Sequence, residues 1–95
     1  MRISPHQKTA ILRAVYEQDP QAKVILFGSR AKDDQRGGDI DLLVISDQLD
    51  FRKHWKIRRD ILDEIGWQKL DLLVCPTDQL RSGIARLAIE SGVSL

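Results

Sequence analysis

Two short apolar runs, Val24-Ile25-Leu26-Phe27 and Leu42-Leu43-Val44-Ile45, stand out from the mixed chain around them and read as buried strands. A third run, Leu70-Asp71-Leu72-Leu73-Val74, is broken by one carboxylate. The pattern predicts strands over 23–27, 39–45 and 67–74, the last ended by Pro76. Helical periodicity fills the intervals. Ala10, Ile11, Ala14 and Val15 repeat at helical spacing after Ser4-Pro5-His6-Gln7. In that start Ser4 can cap, Pro5 suits the first position and Gln7 can complete a capping box. The helix should stop before Asp19-Pro20, because a residue preceding proline disfavours the α region.

A second helix is expected after Asp50. Phe51, Trp55, Ile61, Leu62 and Ile65 form its inner stripe, with Arg58 as the polar exception, and Gly66 ends it. A third should follow Thr77 as cap, with Leu80, Ile84, Leu87 and Ala88 inward and Gly92 as terminator. Val93-Ser94-Leu95 can add an edge strand. A short helical turn is expected over 29–33, and 35–38 is polar, glycine-rich loop. No repeat or linker interrupts the 95 residues, so residues 1–95 read as a single α/β domain.

Composition narrows the class. With 42% hydrophobic and 31% charged residues the chain is an ordinary globular sequence, not a disordered one. A net charge of +1 gives no direct nucleic-acid signal. Cys75 is the only cysteine, so no intrachain disulfide can form, which points to a reducing compartment, the cytoplasm. The N-terminus has no apolar core of a signal peptide, and no run approaches the roughly 20 residues that span a bilayer, so no membrane association is expected.

The chemistry lies in the carboxylates. Strand side chains alternate faces, so Asp39 and Asp41 point the same way, with Cα atoms about 6.5 Å apart at a rise of roughly 3.3 Å per residue. Two carboxylates that close, leading into an apolar strand, repel each other and resist desolvation. A solvated acidic cluster is the plain alternative, but Asp41 lies inside the apolar run. A divalent cation relieves the conflict, and oxygen-only ligands suit magnesium, manganese or calcium rather than zinc. Ten residues before Asp39 stand Gly28-Ser29. There Gly28 permits close backbone approach and Ser29 offers a hydroxyl and an amide to an anion. Arg30 and Lys32 follow as candidate phosphate contacts. A basic cluster, Arg52, Lys53, His54, Lys56, Arg58 and Arg59, reads as a solvated helix face with Arg59–Asp63 and Lys56–Asp60 pairs, or else as a docking surface for an acidic partner.

Gly28-Ser29, the polar spacer, Asp39-Ile40-Asp41 and the later Asp71, taken in order on these strands, resemble the minimal nucleotidyltransferase family. It is the smallest branch of the superfamily typified by DNA polymerase beta. The spacer is one residue shorter than the commonest form. The resemblance implies a mixed, mainly antiparallel sheet with helices packed mostly on one face, an α+β arrangement. It implies that Asp39, Asp41 and Asp71 are catalytic metal ligands for Mg2+, in a two-metal site with ions about 3.5–4 Å apart. Gly28, Ser29 and Arg30 become nucleotide-binding residues, with ATP as substrate. It implies transfer of AMP to a protein hydroxyl, a tyrosine of a small all-helical HEPN-type toxin, with this chain as the antitoxin of the pair. A non-catalytic binding antitoxin and the catalytic subunit of an antibiotic-type transferase are the alternatives.

Overall fold

Residues 2–31, 39–81 and 83–95 are described by a computed structural model of the chain. Helix α1 (Pro5–Gln18) begins as its sequence predicts. The Ser4 hydroxyl accepts from the Gln7 amide at 3.0 Å, and the Gln7 side chain accepts from the Ser4 amide at 2.9 Å. The helix ends at Asp19, which turns the chain into β1 (Lys23–Phe27). Buried Asp19 accepts from the Ser46 hydroxyl at 2.5 Å and from the Gln21 amide at 3.0 Å. That polar pair ties the α1–β1 turn to the end of β2 (Ile40–Ile45), and its groups satisfy one another inside the protein.

Helix α2 (Phe51–Ile65) is capped by Asp50, whose carboxylate accepts from the Lys53 amide at 2.8 Å. It ends at Gly66, where φ is +86°. Strand β3 (Leu70–Cys75) starts three residues later than the apolar pattern predicts, and Trp67 stands exposed outside it. Helix α3 (Gly83–Ser91) and β4 (Val93–Ser94) complete the described chain.

The strand order is β3-β2-β1-β4. The β1–β2 and β1–β4 pairings are antiparallel and β2–β3 is parallel, so the sheet is mixed and mainly antiparallel. On one face Val24, Leu26, Leu42, Val44, Leu70 and Leu72 pack with Ile11 and Val15 of α1 and Ile57 and Ile61 of α2. On the other, Ile25, Phe27, Leu43, Ile45 and Cys75 meet Ala85 and Ala88 of α3. Strand β2 is covered on both faces, which is why its apolar run is continuous rather than alternating. Two of the three helices share the first face, and the fold is α+β. Among the described residues no helix is long and apolar enough to cross a membrane.

Several side chains depart from the stripes that periodicity alone assigns. Phe51 and Trp55 are 77% and 56% exposed. The buried centre of α2 lies at Ile57, and Trp55, two positions away, is turned about 200° from it. Phe51 and Trp55 pack edge-on against each other instead, with ring centroids 6.3 Å apart. On α3 the small residues Ala85 and Ala88 face the sheet, which leaves Ile84 and Leu87 more than half exposed. Thr77 does not cap α3. It opens a separate 3-10 turn (Thr77–Gln79), where its amide and hydroxyl both donate to Asp47, at 2.9 and 2.7 Å. Arg59 pairs with neighbouring Asp60, and Lys56 with Glu17 of α1, rather than with the partners four residues on.

Candidate active site

The parallel pairing of β2 and β3 sets Asp41 directly beside Asp71. The Ile40 amide donates to the Lys69 carbonyl at 3.1 Å and holds that register. Both carboxylates rise from the α3 face of the sheet, as strand alternation requires. Asp39 immediately precedes β2 on the same side. One oxygen from each of Asp39, Asp41 and Asp71 lies within 4.8 Å of the others. Asp39 and Asp41 are half-buried and Asp71 is exposed, because α3 does not cover this end of β3.

Strand β1 brings the turn to the same place. Phe27 pairs with Asp41, so Gly28 follows at the level of the carboxylates. Gly28 has φ +72°, in the left-handed region that favours glycine. A Cβ built there would run into the Asp41 carboxylate. The glycine is therefore required twice, by its backbone angle and by the space Asp41 occupies. Residues 28–31 form a 3-10 turn containing Ser29. Arg30 donates to the Arg2 carbonyl at 3.1 Å, and its own carbonyl accepts from the Arg2 amide at 2.7 Å, which braces the turn against the N-terminal segment. Lys32 and the rest of the spacer, residues 32–38, lie outside the described residues.

The electrostatics follow from crowding. Burial, then the hydrogen bond and charge of Asp71, then the charge of Asp39, push the Asp41 carboxyl from the usual 3.8 up to about 6. The Lys69 ammonium opposes that rise. It pairs with Asp39 at 3.3 Å. Among the described residues, the ion pair of Lys69 with Asp39 offsets one of the three converging carboxylates. The donors are all oxygen, which suits a hard divalent cation such as magnesium. The residues present fit such an ion.

One arrangement escaped the sequence reading. Strand β3 is a sheet edge, and its outward carbonyls are capped from α2. Arg58 donates to the Leu70 carbonyl at 2.7 Å, and His54 Nε2 donates to the Leu72 carbonyl at 3.0 Å. His54 and Arg58 are four residues apart, hence on one face of α2. Arg58 also lines a cleft with Asp41 and Asp71. The signal was present as the single polar residue in the apolar stripe of α2, but nothing in the sequence said which strand it would reach.

A family model described as a nucleotidyltransferase domain matches residues 8–92. No curated protein matches the chain. Among solved structures, one similar to it is a toxin–antitoxin MntA–HpeT mutant in which a tyrosine is replaced by alanine. The TM-score is 0.65 at 22% identity, over 93% of this chain and 69% of that one. Another is a toxin–antitoxin MntA–HpeT mutant with two aspartates replaced by glutamates, at TM-score 0.67 and 20% identity, over 93% and 70% of the two chains. At these identities the likeness establishes the fold.

Proposed function

The chain belongs to the nucleotidyltransferase domain family, and on that premise we propose that it transfers AMP from ATP, with magnesium, to a tyrosine hydroxyl of a HEPN-type toxin and so acts as its antitoxin. The observation that carries this reading is the meeting of Asp39, Asp41 and Asp71 beside the positive-φ turn at Gly28. Mutual repulsion makes such a set costly to retain without a task. The toxin–antitoxin identity of the two similar structures supports the biological role.

In this mechanism the amides of Gly28 and Ser29 hold the phosphates of ATP, and Arg30 adds positive charge at the same turn. Asp39, Asp41 and Asp71 hold the cation, which when bound supplies neutralisation of the phosphate charge and polarisation of its oxygens. Asp71 stands on the exposed side, where an acceptor can reach it, and takes the proton of the acceptor hydroxyl. That oxygen forms a bond to the α-phosphorus. The bond from the α-phosphorus to the oxygen bridging to the β-phosphate breaks, and pyrophosphate leaves.

The test is to incubate the chain with magnesium–ATP and a HEPN-type helical protein as the proposed partner, and to weigh that protein intact. One added adenylate on tyrosine, lost with Asp41→Asn, is the expected result. Toxin silenced at unchanged mass, equally by wild type and Asp41→Asn, would replace transfer with neutralisation by contact.

A further inference from the structure

On the face that carries the carboxylates, α3 packs over β1 and β2 and leaves part of the edge strand β3 uncovered, where Asp71 is exposed and Leu73 half-buried. A groove of about 880 Å³ runs there, lined by Leu73, Leu80 and Ile84 and by the polar side chains of Thr77, Asp78, Gln79 and Arg81. It continues into a cleft of about 400 Å³ that contains Asp41, Asp71 and Arg58. The two share Leu73 and Ile84. Leu73 is the next residue after Asp71 on that face, about 6.6 Å further along the strand at the usual rise. Ile84 is 54% exposed although it is apolar.

We infer that this groove seats the acceptor: an apolar segment of the partner protein lies on Leu73, Leu80 and Ile84 and delivers the adjoining hydroxyl to Asp71. The inference rests on the transfer reading above and names what that reading leaves open. Continuity decides the occupant. The phosphate-binding turn belongs to β1, on one side of Asp41, and Asp71 belongs to β3, on the other. An acceptor that approaches Asp71 along the groove lies against Leu73 and Ile84, which line both spaces. The lining decides the class. Leu73, Leu80 and Ile84 can bury leucine, valine or phenylalanine side chains, while Thr77, Asp78, Gln79 and Arg81 offer hydrogen bonds and one charge of each sign. An apolar centre with a mixed polar rim suits a protein segment better than a polycationic antibiotic or a nucleic-acid backbone, which need a rim of one sign. The carbonyls of Leu70 and Leu72 on the outer edge of β3 are already occupied by Arg58 and His54. The segment is therefore held by its side chains rather than added to the sheet as a further strand.

The test uses the full chain, nitrogen-15 labelled, and two tyrosine peptides, one flanked by leucine and valine and one by serine and glycine. The apolar peptide is expected to shift the amide resonances of Leu73, Leu80 and Ile84, and to bind at least tenfold more tightly than the polar one. Ile84→Glu should weaken it tenfold or more. Leu87→Glu, an equally exposed apolar position on the same helix but outside the groove, should leave it unchanged. The melting temperature and the amide resonances outside the groove should match wild type in both variants, which shows that the fold is intact. Shifts elsewhere, no binding, or equal effects of the two substitutions overturn the groove. Adenylate transfer to the peptide is measured in parallel. If no transfer occurs with any acceptor, the transfer reading fails, while the binding map still decides what the groove holds.

Discussion

Gly28→Ala separates the two reasons for a glycine at the turn. The first is backbone strain. At φ +72° a residue with a Cβ pays roughly 1–3 kcal/mol. The second is collision, because the new methyl group overlaps the Asp41 carboxylate. That carboxylate ends a rotatable side chain, so the fold can accept alanine by swinging Asp41 away from Asp39 and Asp71. Gly66→Ala supplies the control. Its φ is +86°, and a Cβ there meets nothing within 4 Å. Both variants should lose stability, Gly66→Ala at least as much as Gly28→Ala because φ +86° with ψ 164° is open essentially to glycine alone, with Tm falling about 4–8 °C for each kcal/mol in a domain of this size. Only Gly28→Ala should lose the magnesium-dependent gain in ATP affinity. Removing one carboxylate from the set is expected to cost about tenfold or more, or at least about 1.4 kcal/mol. Differential scanning calorimetry reads the first quantity, and titration calorimetry with magnesium or EDTA reads the second. A Gly28→Ala protein that binds magnesium–ATP as wild type does would refute the claim that this glycine makes room for Asp41.

Three further outcomes are expected. Asp71→Asn should cut adenylate transfer by roughly 10²–10⁴, the usual range for losing a general base, and lower ATP affinity much less than Asp41→Asn; full transfer by Asp71→Asn would remove it from the mechanism. In metal-free protein the raised Asp41 pKa means that the folded state holds this proton more tightly than the unfolded state. Its contribution to stability is complete below about 3.8 and is lost as pH rises through about 6. Tm measured between pH 4 and pH 7 should therefore fall more for wild type than for Asp41→Asn, and magnesium should erase the difference. Gly92→Ala should destabilise by about 1–3 kcal/mol or more in chemical denaturation, because its Cβ would press on the backbone carbonyls of Ala88 and Leu26, at 2.5 and 2.7 Å, which cannot rotate aside. A Gly92→Ala midpoint equal to wild type would show that α3 packs less closely on β1 than the structure has it.

Local chemistry in the sequence was enough for most of the elements. Ser4, Pro5 and Gln7 start α1, Asp50 starts α2, and Gly66 stops it, because capping and positive φ depend on neighbouring residues only. The same holds for Asp39 and Asp41, whose shared side follows from the two-residue period of a strand. Tertiary structure decided what depends on partners distant in the chain. That Asp71 stands beside Asp41 is a matter of strand register, which the period leaves open, since β3 could pair with either neighbour in several alignments. Periodicity marked apolar positions on α2 and α3, but the reach of the elements packed against them left Phe51, Trp55, Ile84 and Leu87 in the open. The polar exception Arg58 became an edge cap and a wall of the cleft only when α2 was laid along β3. A strand or helix carries its own faces in its sequence; what covers each face, and which charges meet there, is determined by contacts between segments far apart in the chain.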